Sequence, residues 1–577
     1  MKKYVLPLLL LIAITTQKLG AQGILHTQGE KIVNDRGENV LFRGIGLGGY
    51  MLQEGYMLHL GKDGQQHKIR ERIARLLTPA QTQEFYDTWL AHHTTKADID
   101  SLKAWGFNQV RLPMHFNLYT LPADKEPVPG QQTWLDKGFT MTDSLVAWCK
   151  AAGIYLILDL HAAPGGQGND LNISDRDGDK PSLWQQVADQ DKTVALWKKL
   201  ATRYAHEATI AGYDLLNEPN WGFDNQEKDP NGIGEKTNGP LKALLVRITE
   251  AIRSVDKEHI IIIEGNAWGN NYNGMLNDGL WDKNMVLSFH KYWNNNDTAS
   301  IGHMLRYRQR LQVPIWLGET GENSNTWFTD AITLFESNNI GWSWWPLKKL
   351  GINNPLQIPS NKGYDALVDY WNGKRSTPPD ADSAYHALLE LANATDIRHN
   401  IVHRDVIDAM IRQPHSLEAI AFKANIAAPG TTIAAADYDL GRNGVAYFDK
   451  DSGNYRISTG HASVGNRGGV YRNDGVDIYN DTAHTNAYYV GHTEDGEWLQ
   501  YNITVTDTRN YALQTLVRGE GQFQWTENGK ALTPPQSSPA GTAWQAVSTT
   551  KVHLVKGRHQ LRLQVLKGGF DFAALKF

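Results

Sequence analysis

The stretch IYLILDLH, residues 154–161, predicts one strand of a parallel sheet. It is an almost unbroken run of Ile and Leu, typical of a strand buried on both faces, and it ends in polar residues. Similar short apolar runs recur between residues 24 and 400, separated by longer amphipathic segments. The runs are Val40–Gly44, Phe107–Pro113, Ile154–Leu160, Ile210–Leu216, His259–Glu264, Met285–His290, Pro314–Glu319 and Ile340–Trp345. Eight alternating strands and helices predict an α/β protein with a (β/α)₈ barrel.

The segments between the runs carry helix signals, and the pattern changes after about residue 400. Thr78-Pro79 predicts a helix start, and Leu241 to Val255 has apolar residues at helical spacing. Beyond the boundary-like stretch 427–432, apolar residues alternate with polar ones, as in 499–505 and 561–565. Short alternating strands with Gly- and Asn-rich turns predict a C-terminal antiparallel β-sandwich.

The first residues predict a secretory signal peptide. Met1-Lys2-Lys3 is basic, Val5 to Ile14 is apolar, and Leu19-Gly20-Ala21 offers small residues for cleavage. The apolar run is shorter than the ~20 residues that a spanning helix needs. We therefore expect a secreted or periplasmic protein, with a membrane-tethered N-terminal helix as the alternative. The expected domains are the signal peptide (1–22), the barrel (23–400), a connecting segment (401–430) and the sandwich (431–577).

Composition narrows the function classes. The 577-residue chain has a net charge of −5, so no basic excess favours nucleic acid as a partner. Its single cysteine, Cys149, excludes an internal disulfide framework and a cysteine zinc cluster. The 19 Trp and 23 Tyr suit a large core, a binding surface or a sugar-stacking cleft. We expect a monomer without a membrane span, cofactor or metal.

Polar residues of catalytic type stand at nearly every predicted strand end, where barrel enzymes carry their active sites. Two of them, Glu218 and Glu319, would face each other across the barrel mouth. Glycoside hydrolysis needs such a pair, one carboxyl to protonate the leaving oxygen and one to attack or to activate water. Arg111 would stabilise the ionised partner. The alternative is that each glutamate only forms a loop salt bridge.

The strand-end motifs resemble those of glycoside hydrolase family 5, a family of retaining (β/α)₈ glycosidases. The matching motifs are Arg111-Leu112-Pro113, Asp159-Leu160-His161, Leu216-Asn217-Glu218-Pro219, His290-Lys291-Tyr292 and Leu317-Gly318-Glu319. The resemblance implies that Glu218 is the acid/base and Glu319 the nucleophile. It further implies substrate-binding roles, for Asn217 at the sugar 2-hydroxyl and for Arg111, His161, His290, Tyr292 and Trp345. Trp344 is adjacent to Trp345, so the register of that position stays open.

Three nearby residues have competing interpretations. Glu322 follows the expected nucleophile by three positions but lies beyond the strand end. Glu264 suits either a subsite or support of the core. His115, where an aromatic residue often follows the arginine motif in the family, is interpreted as an ordinary loop histidine.

Residues 430–577 resemble a family 6 carbohydrate-binding module, through motifs such as Tyr471–Ile478 and Gly496–Tyr501. The resemblance implies sugar-binding positions at His492, Trp544 and Asp571. Alanines at 434, 436 and 573 stand where the family has polar calcium partners, so no calcium is expected. The alternative is a structural companion to the barrel.

The sequence thus predicts a secreted retaining β-glycosidase acting on a β-glucan or a related polysaccharide or oligosaccharide, of the β-glucanase or β-glucosidase type. A β-mannanase, a xyloglucanase and a non-catalytic sugar-binding protein are the alternatives. Six tryptophans are expected in or beside the strand-end loops, where a stacking cleft would lie. They are Trp184, Trp221, Trp268, Trp293, Trp344 and Trp345.

Overall fold

The computed structural model describes residues 22–451, 465–481, 488–549 and 551–577. The predicted signal peptide, residues 1–22, lies outside these ranges except for Gln22. In the part of the chain that is described, no helix is both long and apolar enough to cross a bilayer.

Within residues 22–451, which are described without a gap, eight parallel strands close into a barrel and confirm the predicted fold. The strands are β1 (Arg43–Gly46), β2 (Gln109–His115), β3 (Tyr155–Ala162), β4 (Ile210–Asp214), β5 (Ile260–Glu264), β6 (Met285–Lys291), β7 (Ile315–Gly321) and β8 (Gly341–Trp345). Each strand pairs with the next along the chain, and β8 pairs with β1. The carboxyl ends of the strands therefore all meet at one mouth.

The first strand begins later than the apolar run predicted. Val40 donates its N–H to the carbonyl of Ile32 at 2.8 Å instead of joining the barrel. Ile32 belongs to an N-terminal hairpin, His26–Gln28 and Lys31–Val33, whose buried side chains lie at the amino end of the barrel. The apolar residues at 40–42 therefore lie with this hairpin at the amino end of the barrel, and Arg43–Gly46 forms the barrel strand.

Helices lie between the strands and surround them. The α-helices are Gln66–Ala74, Pro79–His92, Lys96–Trp105, Asp136–Ala152, Val187–Tyr204, Gly239–Arg253, Asn266–Gly269, Gly302–Leu311, Asn325–Ser337, Lys362–Trp371, Ala381–Ala394 and Arg404–Ile411. Short 3₁₀ turns occupy Gly55–Leu58, Phe116–Leu118, Ala123–Lys125 and Ala435–Asp437. Thr78 accepts the N–H of Gln81 at 3.3 Å and Pro79 takes the first helical position, so this helix begins as predicted.

The C-terminal residues form an antiparallel β-sandwich, as predicted. In its described ranges one sheet joins Asn425–Ala427, Tyr447–Phe448, Trp498–Val505, Gly521–Glu527, Lys530–Ala531, Gln536–Ser538 and Gly557–Lys567. The facing sheet joins Thr432–Ala434, Ile478–Asn480, Tyr488–Val490, Gln514–Arg518, Gln545–Ser548 and Asp571–Lys576. Arg509–Tyr511 pairs separately with Val552–Leu554. The alternating apolar residues predicted at 499–505 and 561–565 lie in the core between the sheets.

The segment 401–430, expected to connect the two domains, carries structure of its own. Ile401–Val402 pairs with Leu356–Gln357, which follows the barrel. The helix Arg404–Ile411 packs on Asn325–Ser337, where Thr329 Oγ1 donates to the carbonyl of Ala409 at 2.9 Å. The segment therefore packs on the barrel through this helix, and its end already belongs to the sandwich, because Asn425–Ala427 pairs with Trp498–Val505.

Candidate active site

Inside the barrel, several strands change from apolar to polar or charged residues towards the mouth. Alternate residues of a strand share one face, so a residue two positions on continues the same row. Near the amino end the rows contribute Ile157, Ile262 and Val286, which pack in one buried cluster. Two residues further along stand Asp159, Glu264 and Ser288, all fully buried. The same rows that fill the bottom of the barrel therefore place carboxylates below its mouth.

Arg111, on β2, ties these carboxylates together. Its Nε donates to Asp214 Oδ2 at 3.0 Å, and its Nη2 donates to Asn217 at 2.8 Å and to Glu264 at 3.0 Å. Its Nη1 donates to Glu319 and lies 3.3 Å from Asp159. The guanidinium is fully buried, and although burial opposes its charge, the surrounding carboxylates hold the pKa of Arg111 well above its ordinary value.

A β-bulge turns Glu319 into the mouth. Gly318 has no pairing partner on either neighbouring strand. On β6, Phe289 pairs with Leu317 and the next residue, His290, pairs with Glu319, and the pairing of β7 with β8 shifts its register at the same place. A Cβ at Gly318 would lie 2.2 Å from Ser288 Oγ and 3.1 Å from His290 Nε2. Only glycine fits this close approach, and the extra residue re-aims the glutamate that follows it.

Glu319 is held ionised by its neighbours. Tyr292 donates its hydroxyl to Glu319 Oε2 at 2.8 Å, while Arg111 binds Oε1. His290 Nδ1 lies 3.7 Å and His161 Nδ1 3.8 Å from the carboxylate. Burial would favour the neutral acid, but the charges of His290, Arg111 and His161 lower the pKa of Glu319 below its ordinary value. The carboxylate is therefore prepared to act as a nucleophile.

Glu218 has the opposite electrostatic setting. Burial, opposed by the charge and hydrogen bond of His290, raises the pKa of Glu218 to about 7. Its backbone adopts the left-handed region at φ 42° and its N–H donates to Glu264 Oε2 at 2.7 Å, so Glu264 stabilises a conformation that non-glycine residues rarely take. A carboxylate oxygen of Glu218 and one of Glu319 lie within 4.8 Å of each other.

His290, on β6, stands between the acids. Its Nδ1 lies 2.5 Å from Glu218 Oε1, and its Nε2 lies 3.2 Å from Glu264 Oε1. Burial lowers the pKa of His290, but Glu264, Glu319 and Glu218 raise it well above its ordinary value. His290 therefore couples the protonation of the two central carboxyls.

The remaining predicted barrel residues lie beside this pair. His161 Nδ1 lies 2.7 Å from Asp159 Oδ2, and Asn217 Nδ2 lies 3.2 Å from His161 Nε2. The Trp345 indole stacks on the His161 ring at 5.0 Å between centroids and 8° between planes. Trp345 lines the cleft whereas Trp344 is fully buried in the core, which decides the register at the end of β8.

A cleft of about 660 Å³ opens above Glu218 and Glu319. Of the six tryptophans expected here, Trp268, Trp293 and Trp345 line it. The other three, Trp184, Trp221 and Trp344, are not among its lining residues. Tyr56 and Tyr292 add aromatic walls, so flat apolar faces surround the two carboxyls.

Sequence reasoning missed several polar residues of the site. Glu54 and Asp170 line the cleft from loops, and burial followed by repulsion from Glu319 raises the pKa of Glu54 well above its ordinary value. No strand-end signal marks these loop residues. Asp214 carries such a signal, because it ends β4 on the row that faces Arg111.

The three ambiguous residues fall in different places. Glu322 lines the cleft but binds Lys349 at 2.6 Å, and Glu264 supports Arg111 and His290 below it. His115 lies 2.9 Å from Asp175 and is not among the residues that line the cleft.

In the sandwich, two of the three predicted sugar-binding residues, Trp544 and Asp571, contact Arg518. Its guanidinium lies 4.4 Å from the Trp544 ring centroid and donates through Nε to Asp571 at 2.8 Å. The Tyr489 ring meets Trp544 edge-on at 5.4 Å. His492 is exposed and has a left-handed backbone at φ 51°. Trp544 and Asp571 are thus brought together, with Arg518 placed against both.

The sandwich also contacts the loop that follows Glu319. Asn473 donates its side-chain N–H to the carbonyl of Asn323 at 2.8 Å and accepts the backbone N–H of Asn325 at 2.9 Å. Its own N–H donates to Asp405 at 2.8 Å. Asn473 is buried, so a residue of the sandwich satisfies backbone groups of the barrel domain a few positions beyond the cleft.

Two family models match the chain. Cellulase (glycosyl hydrolase family 5) matches residues 73–351, and carbohydrate binding module (family 6) matches residues 470–577. Both agree with the resemblances seen in the motifs. Residues 73–351 hold β2 to β8 and all eight predicted site residues of the barrel.

Curated relatives are glycosidases of low identity. A beta-xylosidase of Phanerodontia chrysosporium is 26% identical over 410 residues, 64% of this chain and 81% of that protein. A probable glucan 1,3-beta-glucosidase A of Aspergillus clavatus is 27% identical, and the match spans 49% of this chain and 62% of the relative. Endoglucanase C of Acetivibrio thermocellus is 27% identical over 47% of this chain and 87% of its own. These relatives and the family model show that the chain is a glycoside hydrolase.

Proposed function

We propose that this chain, whose barrel domain belongs to glycosyl hydrolase family 5, is a secreted retaining β-glycosidase that cleaves a β-glucan or a related polysaccharide or oligosaccharide. The observation that carries the proposal is the separation of the two central carboxyls. Retaining enzymes hold them about 5–5.5 Å apart, whereas inverting enzymes leave about 6.5–9.5 Å for a water molecule. One carboxylate oxygen of Glu218 lies within 4.8 Å of one of Glu319, a close approach that supports retention.

In the first step Glu319 attacks the anomeric carbon. A bond forms between its carboxylate oxygen and that carbon, the glycosidic C–O bond breaks, and the proton of Glu218 moves to the leaving oxygen. The opposite pKa shifts suit these roles, because Glu319 stays ionised while Glu218, with a pKa of about 7, holds its proton near neutral pH.

In the second step Glu218, now ionised, removes a proton from water. The resulting oxygen attacks the anomeric carbon and displaces Glu319, which restores both carboxyls. Tyr292 and Arg111 keep hold of the Glu319 oxygens, so the nucleophile needs no reorganisation between the steps. The family resemblance assigns the sugar 2-hydroxyl to Asn217, which directly precedes Glu218 and accepts a hydrogen bond from Arg111 at 2.8 Å.

The relatives and the aromatic cleft both bear on the substrate class. The printed names of the relatives span a xylosidase, a glucan glucosidase and an endoglucanase, which all act on β-linked glycans. A β-glucan is our first choice, with mannan and xyloglucan as the other chains to test. The aromatic walls of the cleft suit pyranose rings of any of these.

Product stereochemistry tests the mechanism. Purified protein is given β-1,3-, β-1,4- and mixed-linkage glucan oligomers, mannan oligomers and xyloglucan oligomers, and the first product is observed by NMR before it mutarotates. A β-anomer is expected. An α-anomer would exclude the double displacement, and inertness on the whole panel would favour a sugar-binding protein. Recovery of mature chain starting near residue 23 from the periplasm or medium would test secretion.

A further inference from the structure

A second cavity of about 600 Å³ adjoins the cleft. The two share Ala267, Trp268, Asn270 and His303 as a common wall. The rest of the second cavity is lined by Ile233, Asn271, Tyr272, Asn273, Arg306, Tyr307 and Arg310. The proposed function assigns nothing to it.

The two cavities differ in charge. Five acidic side chains line the cleft: Glu54, Asp170, Glu218, Glu319 and Glu322. Among the described residues that line the second cavity there is no carboxylate, while there are two arginines and a histidine. The second cavity therefore offers positive charge directly beside an acidic site.

Neither arginine of the second cavity forms an ion pair with a described residue. Arg308, on the same helix, lies 3.4 Å from Glu30 as an ion pair. In the described ranges no carboxylate lies within 4.0 Å of the Arg306 or Arg310 guanidinium. Arg310 lies 5.3 Å from the Tyr307 ring centroid and donates to the carbonyl of Leu276 at 3.3 Å, which orients it.

The shared wall is a strained turn that neighbouring residues hold in place. Ala267 and Trp268 both have left-handed backbones, at φ 50° and 55°, and such residues cost about 1–3 kcal/mol each. Asn266 on one side exchanges backbone hydrogen bonds with Asn271, at 2.9 and 2.7 Å. Strain supported in this way occurs at ligand sites, and here it places the indole between the two cavities.

The wall lies on the Glu218 side of the cleft. The backbone N–H of Trp268 donates to the carbonyl of Pro219 at 3.2 Å, and Pro219 directly follows Glu218, the expected acid. If Glu218 protonates the leaving oxygen, the second cavity neighbours the leaving-group half of the substrate. This step rests on the proposed function.

We propose that the second cavity binds an anionic sugar residue, carrying a carboxylate or a sulfate, in the leaving-group half of the glycan. A guanidinium donates two parallel hydrogen bonds to such a planar or tetrahedral oxyanion. Trp268 and Tyr307 supply flat faces for the sugar ring, and the acidic cleft repels the same group. The second cavity therefore binds the charged sugar residue of a glycan chain, while the cleft accepts the uncharged ones.

Binding to the full chain with Glu319→Gln tests this without hydrolysis. Glucuronate, glucose 6-sulfate and glucose are titrated at low and at high salt. We expect at least one anionic sugar to bind tenfold or more tightly than glucose at low salt, and the preference to fall with salt. The double variant Arg306→Gln/Arg310→Gln should lose the preference, whereas Arg75→Gln, an exposed arginine remote from the cavity, should keep it.

Each result has a clear meaning. Preference for glucuronate alone assigns a carboxylate, and preference for glucose 6-sulfate alone assigns a sulfate. Equal binding of the three sugars, or a preference that survives the double variant, overturns the proposal. The double variant should unfold thermally at the same temperature as its Glu319→Gln parent, which shows that the lost preference does not come from misfolding. A wild-type chain that binds the anion but hydrolyses no glycan would refute the proposed function and leave this site standing.

Discussion

The barrel and the sandwich each contain an arginine bound to carboxylate, but the two arginines lie differently relative to the residues that are expected to meet a sugar. In the barrel, Arg111 lies below the mouth and Glu319 reaches past it into a cleft of about 660 Å³. In the sandwich, Arg518 lies against the Trp544 ring and binds Asp571 itself. Arg111 supports Glu319 from below, which leaves Glu319 open to a sugar in the cleft. Arg518 instead lies over the ring of Trp544, the residue that was expected to stack on a sugar.

Residue types alone therefore do not make a binding site, since burial decides how strongly each arginine acts on its carboxylates. The Arg111 charge is fully buried and divided among several acids, so it sets their pKa values strongly. The Arg518–Asp571 pair is about one-quarter exposed on each side, where water weakens the same attraction. Substitutions in the two clusters should therefore have effects of very different size.

The largest effect is expected at the nucleophile. Glu319→Ala should lower kcat/KM on an aryl β-glucoside on the order of 10⁴–10⁶-fold, because the covalent step loses its attacking atom. Steady-state kinetics measure the loss. The matched variant is Glu322→Ala, three residues on, whose carboxylate binds Lys349. Its loss should be at least a hundred times smaller, and the reverse order would show that the nucleophile is misassigned.

Removing the two arginines compares the clusters directly. Arg111→Met leaves several buried carboxylates without their cation and should lower the free energy of unfolding by about 3–5 kcal/mol. Arg518→Met should cost about 1 kcal/mol or less, because its partner regains water. Urea unfolding followed by tryptophan fluorescence measures both. Equal costs would contradict the distinction between the buried and the exposed cluster.

The contact between the domains should have an intermediate effect. Asn473→Ala removes the donor to the carbonyl of Asn323 in a buried setting, which should cost about 1–3 kcal/mol of unfolding free energy. Asn510→Ala, at an exposed position of the sandwich, is the control. If both variants unfold like the parent, the sandwich does not brace the barrel loop.

The pH profile reports the two carboxyls. The kcat/KM should fall above pH of about 7, as Glu218 with its pKa of about 7 loses its proton, and fall again at low pH as Glu319 gains one below its ordinary pKa. His290 lowers both pKa values, so His290→Asn should move both limbs to higher pH, by on the order of one unit. His386→Asn, at an exposed position of the helix Ala381–Ala394, should move neither limb. A shift to lower pH would contradict the coupling.

The smallest effect is expected at the sandwich tryptophan. Arg518 lies over the Trp544 ring and Tyr489 meets it edge-on, so a sugar would have to compete with these contacts, and Trp544→Ala should weaken polysaccharide binding by the full chain only a few-fold. The measurement uses Glu319→Gln and insoluble β-glucan in a depletion assay. A tenfold or larger loss would show that the sugar displaces Arg518 and that Trp544 is a main contact of the module.

Much of the barrel site could be predicted because its signals are local. A buried strand needs a continuous apolar run, and the mouth of the barrel must collect the residues that end each run, so Glu218 and Glu319 were expected to meet. The loop residues Glu54 and Asp170 carry no such signal. Their place in the cleft depends on how long loops fold back over the barrel, which no periodicity records.

The eight-stranded barrel, the sandwich and the pair of carboxyls could be predicted from the amino-acid sequence, because hydrophobic periodicity and strand order are local properties of the chain. The bulge at Gly318 that aims Glu319, the exposure of Trp345 rather than Trp344 to the cleft, and the position of Arg518 over Trp544 became known from the folded structure. These features depend on register shifts and on contacts between residues far apart in the chain. A single residue of register moves a side chain to the opposite face, so the structure is needed to place it.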